Sequence, residues 1–385
     1  MSIDKEKAHD IILEMLLENP GAFVSGEKIS ERLGFTRAAL WKHMRTLQLE
    51  QWPIESVTRN GYRIIKGQKI PFSKAGIIQN LREIGNVKNI KVENNKENFW
   101  DIAVLESVDS TNNRIKELAY QSDEGTVVFA KKQTGGRGRI GREWSSKENM
   151  GLWMSILLKP EVIPSQVQAI TLAASVAMVM AIKQIFTEDS KIDEPTKNIL
   201  LQSFGIKWPN DILWNGRKIC GILTELAAEP EKLHYVILGI GLNVFHTEKD
   251  FPEELQKTAV SLNMMQKSVK YQSSKESDIS GMTGCLEEYI SEDLDLNRIA
   301  ARVLHNMQLV YQDFLKNGMV HIVAQWRENS ITLGKKILVL VHEPWEAKAV
   351  DVLENGQLIV ENDQGDRIEL LSGEISIRTV DKIQI

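Results

Sequence analysis

Gln133-Thr134-Gly135-Gly136-Arg137-Gly138-Arg139-Ile140-Gly141-Arg142-Glu143-Trp144 decides how the rest of the chain is read. Its twelve residues hold four glycines and three arginines. Glycine lets backbone approach a ligand closely. Arginine offers a fixed fork of donors for phosphate or carboxylate. Together they describe a flap whose N–H and guanidinium groups close over an anion. From Lys131 to Lys147 there are six Lys or Arg and one acidic residue, within a chain of net charge −5. A merely solvated basic loop has no need of glycines spaced between arginines.

Gly136 to Gly141 also matches the G-x-G-x-x-G dinucleotide pattern, which must follow a strand and open a helix. The first condition is met by Thr126–Ala130. The second fails, because Gly151–Leu158 is an apolar run that reads as another strand. A kinase glycine loop lies between strands, but no H-R-D or D-F-G follows here.

Toward the C-terminus, Lys207-Trp208-Pro209-Asn210-Asp211 precedes Asn215-Gly216, a two-residue hairpin turn. Lys218 then starts an otherwise apolar strand and calls for an anionic partner, unless it is an edge lysine reaching to water. Asn210 and Asp211 can hold Mg²⁺ or position an attacking amine; a plain Asx turn is the alternative. Toward the N-terminus, Ile102–Leu105 reads as a strand and Ser110 or Thr111 as the cap of the helix after it. The helix from about 165 to 186 is apolar on most faces and belongs inside. Residues 187–202 look like an insertion and 264–283 like a mobile surface segment. Gly239–Asn243 ends a strand where a ligand can approach. These strands with flanking helices make an α+β sheet domain. Beyond residue 329, four short strands suggest a small barrel.

The first 66 residues are a different module. Two short helices meet at Gly34-Phe35, with Thr36 capping the second, as in a helix-turn-helix. Leu40, Met44 and Leu47 share one face of that second helix. Arg37, Ala38, Trp41, Lys42 and Arg45 are left for the major groove. Trp41 is equally suited to packing. Residues 54–64 form a hairpin with an Asn60-Gly61 turn, a wing from which Arg59 and Arg63 reach phosphates. Glu27 to Lys66 holds eight Lys/Arg against four Asp/Glu, so this module is positive in a negative chain. A winged helix used for protein contacts is the alternative.

A length of 385 residues implies two or three domains. Two cysteines, Cys220 and Cys285, exclude a disulfide framework and fit a reducing cytoplasm. No secretory signal is seen at the N-terminus and no run of about 18 apolar residues, so no membrane association is expected.

The glycine–arginine stretch paired with Lys207–Asp211 resembles the bacterial biotin–protein ligases. With a winged helix in front, the chain looks like their bifunctional ligase–repressor branch. The resemblance implies an α+β multidomain chain: a winged helix (1–66), a linker (67–100), a class II synthetase-like ligase domain (101–328) and an SH3-like barrel (329–385). It implies ATP-dependent formation of biotinyl-5′-AMP, with Mg²⁺, and transfer of biotin to a lysine of the biotin carboxyl carrier protein or another biotin-accepting domain. It implies that biotinyl-5′-AMP is the corepressor for a homodimer on operator DNA. By motif position, Ser110, Thr111, Asn112, Gln133, Gly136, Arg137, Lys218 and Gly221 resemble biotin contacts. Arg137, Arg139, Arg142, Trp144, Asn210 and Asn243 resemble adenylate contacts. Arg139, Lys218 and Asp211 would act in the chemistry, with Asp211 near Mg²⁺. Ile140 stands where relatives carry another arginine. The rivals are a non-catalytic ligand-sensing repressor and a lipoate-type ligase.

Overall fold

The computed structural model describes residues 5–85, 99–188, 193–202, 204–275, 294–340, 343–371 and 376–379. It divides into two compact units, Met1–Lys91 with Asp295–Ala301, and Val92–Leu294 with Arg302–Ile385.

In the first unit, α1 (Lys5–Leu17), α2 (Gly26–Leu33) and α3 (Arg37–Leu49) precede β1 (Ile54–Val57), β2 (Gly61–Ile64) and α4 (Lys74–Ile84). Ser25 Oγ accepts from Lys28 N at 3.2 Å and opens α2; Thr36 Oγ1 accepts from Ala39 N at 3.2 Å and opens α3. Gly34 ends α2 with φ 67°, a left-handed cap that glycine adopts without a Cβ penalty. Ile12, Leu16, Ile29, Leu40, Met44 and Leu47 are buried together, so the apolar stripes of three helices share one core.

The wing is a hairpin, but not with the expected two-residue Asn-Gly turn. Val57 pairs with Gly61, leaving Thr58-Arg59-Asn60 as the loop, and Arg59 takes the left-handed φ of 73°. Gly61 is needed elsewhere. A Cβ there would lie 2.1 Å from Val24 O, because Val24 and Tyr62 exchange backbone hydrogen bonds.

The second unit is built on a seven-stranded sheet. Its strands are β3 (Asp101–Val108), β4 (Thr126–Gln133), β5 (Gly151–Leu158), β6 (Phe204–Lys207), β7 (Asp211–Trp214), β8 (Arg217–Glu229) and β9 (Lys232–Asn243). The order is β3-β4-β5-β9-β8-β7-β6, with β3 and β4 parallel and the other pairs antiparallel. The parallel pair is joined through α5 (Thr111–Leu118), which brings the start of that helix beside the ends of β3 and β4. All eight residues of β5 are buried.

The helix α6 (Val167–Thr187) lies against β8 and α10 (Val320–Glu328). Contrary to the sequence expectation, Pro164–Thr187 is long and apolar enough to cross a membrane. However, 78% of its apolar window is buried inside the protein, as for a core helix. Two further segments of the sequence reading take on structure. Residues 194–202, part of the supposed insertion, form α7 (Glu194–Gln202). The first part of the supposed mobile segment is α8 (Leu262–Lys275), anchored by buried Leu262, Asn263, Met265 and Gln266, with Ser261 Oγ accepting from Met264 N. Its remainder, 276–283, lies outside the described residues, as do Cys285 and the polar run 88–98. A long helix, α9 (Leu296–Asn317), precedes α10.

The C-terminal strands are β10 (Lys336–Leu340), β11 (Trp345–Val352), β12 (Leu358–Glu361), β13 (Arg367–Leu370) and β14 (Ser376–Thr379). They form one antiparallel sheet ordered β13-β12-β11-β10-β14, five strands where the sequence suggested four. Arg327 grips Asp351 through Nε (2.7 Å) and Nη2 (3.1 Å) and ties this sheet to α10. The Gly356 carbonyl accepts from Trp208 Nε1 at 3.0 Å and Gln168 Nε2 at 3.1 Å.

Candidate active site

The glycine–arginine stretch bridges β4 and β5, two antiparallel neighbours, so no helix follows it and the dinucleotide pattern is accidental. The stretch folds back on itself. Trp144 N donates to Gly136 O at 2.9 Å and Gly138 N to Arg142 O at 2.7 Å, with Arg137 and Glu143 bridged between them. A 3₁₀ turn over Arg139–Gly141 forms the tip. There Ile140 takes φ 55° and is 71% exposed. A β-branched residue held left-handed costs energy, so the tip is strained. The flap bounds a cleft of about 520 Å³, closed on the other side by Leu223 and Glu225 of β8.

Under the flap lies a floor made by glycine. Gly221 on β8 pairs directly with Gly241 on β9. A Cβ at 241 would come within 2.4 Å of the Trp144 indole, and one at 221 within 2.9 Å. Trp144 therefore seats on bare backbone. Lys218 Nζ stands 5.1 Å from the centre of the Trp144 ring, in cation–π range. The same ammonium is 2.6 Å from Asp211 Oδ1, the anionic partner the sequence called for. The Lys218 backbone is fixed too: its N donates to Thr258 O (2.6 Å) and its O accepts from Val260 N (2.9 Å).

Lys207–Asp211 is the turn of the β6–β7 hairpin, with Lys207 paired to Asp211. Asn210 is no Asx turn. Its Nδ2 donates to Ile222 O (2.5 Å), and its Oδ1 accepts from Arg139 Nη1 (3.2 Å). The flap thus reaches across and touches the turn. Burial lowers the Arg139 guanidinium from its ordinary value, against a raising influence from Asp211.

A second polar group runs beneath the flap root. Gln133 Oε1 accepts from Thr111 N (2.9 Å) and lies 3.1 Å from Thr111 Oγ1, and Gln133 Nε2 donates to Ser146 Oγ (2.8 Å). Ser155 Oγ hydrogen-bonds Thr111 Oγ1 (2.7 Å) and Asn112 Oδ1 (2.6 Å). Asn112 Nδ2 donates to Glu225 Oε2 (2.6 Å), which also accepts from Arg137 Nη2 (3.1 Å). Arg137 Nη2 also donates to Asn113 Oδ1 (2.7 Å). Asn112 fits only because residue 239 is glycine, whose Cβ would sit 2.2 Å from Asn112 Oδ1.

Thr111, Asn112, Gln133, Gly136, Arg137, Arg139, Trp144, Asn210, Asp211, Lys218 and Gly221 are thereby gathered around one cleft and its floor. Arg142 lines the cleft from the exposed face of the flap. Two further candidates are buried close to these and to Gly241 along the chain. Ser110 occupies the N-cap position without a side-chain cap bond, its expected role being filled by Gln133. Asn243 is buried and gives its amide to Val260 O at 3.2 Å. Asp211 as a metal ligand also changes meaning, since Lys218 engages its carboxylate. Among the described residues no group of three His, Cys, Asp or Glu can hold a metal ion.

Sequence reasoning passed over Ser155 and Glu225, whereas Gly239 and Gly241 lie on the strand end it left open to a ligand. One signal was present: Gly221, Leu223 and Glu225 alternate on one face of β8, opposite Gly241, Gly239 and Ile237 of β9. A ligand contact at Gly221 therefore implicates Glu225 four residues on.

In the first unit, Arg37, Ala38, Trp41, Lys42 and Arg45 of α3 are exposed, as is Arg59 at the wing tip. Trp41 is 60% exposed, which removes the packing alternative. Thr36 is the N-cap. Arg63 is the exception: its Nε donates to Glu55 Oε2 (2.5 Å), and its guanidinium lies over the Phe23 ring at 4.5 Å. That arginine is neutralised within the wing rather than held out for phosphate.

A family model described as "Biotin/lipoate A/B protein ligase family" matches residues 104–243, and one described as "HTH domain" matches residues 10–63. The "Bifunctional ligase/repressor BirA" of Bacillus spizizenii is 33% identical over 356 residues, 92% of this chain and 94% of that protein. The protein of that name from Escherichia coli K12 is 26% identical over 381 residues, 98% of this chain and 100% of its own. A biotin protein ligase from Aquifex aeolicus, solved with biotin and ATP, aligns with TM-score 0.53 and 26% identity, covering 72% of this chain and 99% of that one.

Proposed function

Because this chain belongs to the family of bifunctional ligase/repressor BirA proteins, we propose how its residues divide the work. The protein is an ATP-dependent biotin–protein ligase that also represses transcription. We assign the winged helix to residues 1–66, a linker to 67–100, the ligase domain to 101–328 and the small β domain to 329–385.

The observation that carries the mechanism is the meeting of Arg139, Asn210, Asp211 and Lys218 beside Trp144. Forming an acyl-adenylate brings two anions together. A carboxylate oxygen of biotin attacks the α-phosphorus of ATP, and the bond to pyrophosphate breaks. Fixed positive charge must offset the repulsion. Lys218, held between Asp211 and the Trp144 face, stands between carboxylate and phosphate; Arg139 retains the adenylate from above. Arg142 and Trp144 lie on the nucleotide side. Thr111, Asn112, Gln133, Gly136 and Arg137 receive the biotin ring. In the second half-reaction an acceptor lysine attacks the acyl carbon and AMP leaves. Asp211 then takes the proton the incoming ammonium must shed. Asp211, whose carboxylate is already paired to Lys218, would be one protein ligand for a Mg²⁺ ion, which would supply positive charge against the ATP phosphates.

The acceptor is a lysine of the biotin carboxyl carrier protein of acetyl-CoA carboxylase or a similar domain. Biotinyl-5′-AMP, once held, favours a homodimer that binds operator DNA through α3 and the wing. We place this activity in the cytoplasm, where ATP, DNA and carboxylase meet.

Incubation with biotin and ATP should leave biotinyl-5′-AMP bound, seen by mass spectrometry under native conditions, and should support biotin-dependent pyrophosphate exchange. Exchange with lipoate alone would make this a lipoate ligase. Binding of biotin without exchange would make it a sensor only.

A further inference from the structure

We propose that Glu225 is a positioning residue that sets the direction of the hydrogen bonds beneath the flap, so that the pocket accepts a ligand ring carrying an N–H donor. This inference rests on the biotin-ligase function stated above and names the determinant of ligand choice within it.

The argument follows the protons. A carboxylate can only accept hydrogen bonds. Glu225 Oε2 therefore fixes the Asn112 amide with Nδ2 toward itself, at 2.6 Å. Asn112 Oδ1 must then face Ser155 Oγ, at 2.6 Å. That oxygen has no proton to offer, so the single hydroxyl proton of Ser155 goes to Asn112. The bond of 2.7 Å between Ser155 Oγ and Thr111 Oγ1 is consequently supplied by the Thr111 proton. The opposite end is also fixed. Ser146 Oγ donates to Trp144 O at 3.1 Å and so accepts from Gln133 Nε2 at 2.8 Å. Gln133 Oε1 is left with the Thr111 N–H at 2.9 Å and an open lone pair. Its more distant contact with Thr111 Oγ1, at 3.1 Å, carries no proton while Glu225 is in place.

Without the carboxylate, nothing fixes the Asn112 amide. If it turns over, Ser155 accepts from it and donates to Thr111, and Thr111 donates to Gln133 Oε1. The open acceptor is then filled. Gln133 sits against Gly136 of the flap, where a Cβ would be 3.1 Å from its Nε2, so its amide borders the cleft that Gly136 and Glu225 line. A cyclic urea supplies the matching N–H; a dithiolane ring does not. Ser155 and Asn112 are both buried, so no bulk water resets the relay. Because both bonds to Glu225 land on the same oxygen, a glutamine whose amide oxygen takes that place preserves the direction.

The test measures biotin affinity by calorimetry without ATP, and KM and kcat for biotin in pyrophosphate exchange. Glu225→Leu should raise the Kd and KM for biotin roughly tenfold or more, with kcat changed by less than about threefold. Glu225→Gln should recover most of the affinity. Ser155→Ala, which touches neither flap nor Glu225, should reproduce the Leu phenotype, because Thr111 then turns its proton to Gln133. Biotin methylated on its ring nitrogens should bind the wild type roughly tenfold more weakly than biotin, yet bind Glu225→Leu about as well as biotin does. Wild-type affinity in both Glu225→Leu and Ser155→Ala would overturn the inference. So would a Glu225→Gln variant no better than Leu. Should Glu225→Leu fail to fold, Ser155→Ala and Glu225→Gln decide alone. A wild type that exchanges no pyrophosphate with biotin would instead remove the biotin-ligase function itself.

Discussion

Trp144 can lie flat on the sheet because two strands have no side chains beneath it. A methyl group at position 241 would occupy the space of the indole, and β9 is too well paired on both sides to retreat. Gly241→Ala should therefore lower stability by roughly 1–3 kcal/mol, as overpacking does. It should also slow pyrophosphate exchange, since Lys218 loses its aromatic face. An unchanged melting temperature and exchange rate would show that Trp144 does not need this seat. Arg139 invites a different experiment. Its guanidinium links flap to turn through Asn210, so Arg139→Gly unties the flap while leaving Lys218 in place. Biotinyl-5′-AMP should then dissociate at least about tenfold faster, and unrelated lysines should become labelled in the medium. Dissociation measured by stopped-flow at the wild-type rate would dismiss the clasp.

Helix α3 exposes its basic side chains because Leu40, Met44 and Leu47 spend its other face on the core. Arg37→Ala with Lys42→Ala should weaken operator binding, measured at one fixed salt concentration. Ligation should be untouched, and joint loss of both activities would contradict separate modules. At this scale the sequence was informative wherever signals were local. The cap at Thr36, the Gly34 turn and the Asn215-Gly216 hairpin needed only neighbours along the chain. Likewise β4, β5 and α6 were visible as apolar runs. Elements whose reason is distant were missed. The four-residue strand β6 is held by Asn329 and β7, β14 by β10, and α8 by a few buried side chains. The same holds at the site. Lys218 announced its need for an anion, whereas Glu225 and Ser155 acquire meaning only through contacts more than 40 residues away. The wing shows the converse error: Asn60-Gly61 looked like a local turn, but Gly61 answers to Val24.

Across the whole molecule, buried histidines make stability depend on pH. His246 is fully buried between Trp153 and Phe251, and burial pulls its pKa from 6.5 to about 4. In the other unit His9 is pulled to about 4 by burial and by His43. Between these values the unfolded chain takes a proton that the fold refuses, so stability is lost as pH falls from 6.5 toward 4. For His246 the loss is roughly 3 kcal/mol. Urea unfolding at pH 7 and pH 5 should show it, and His246→Phe should flatten the pH dependence of its unit. An equal slope in the variant would assign the effect elsewhere. A last consequence belongs to the carbonyl of Gly356. It is a turn of the C-terminal sheet, yet it accepts from the Trp208 indole, two residues from Asn210. Anyone trimming this enzyme to a minimal labelling reagent by stopping before Lys336 would strand that indole N–H in the interior. The C-terminal sheet is then no dispensable appendage, and a shortened version needs a new acceptor beside Trp208 before its turn can be trusted to hold shape.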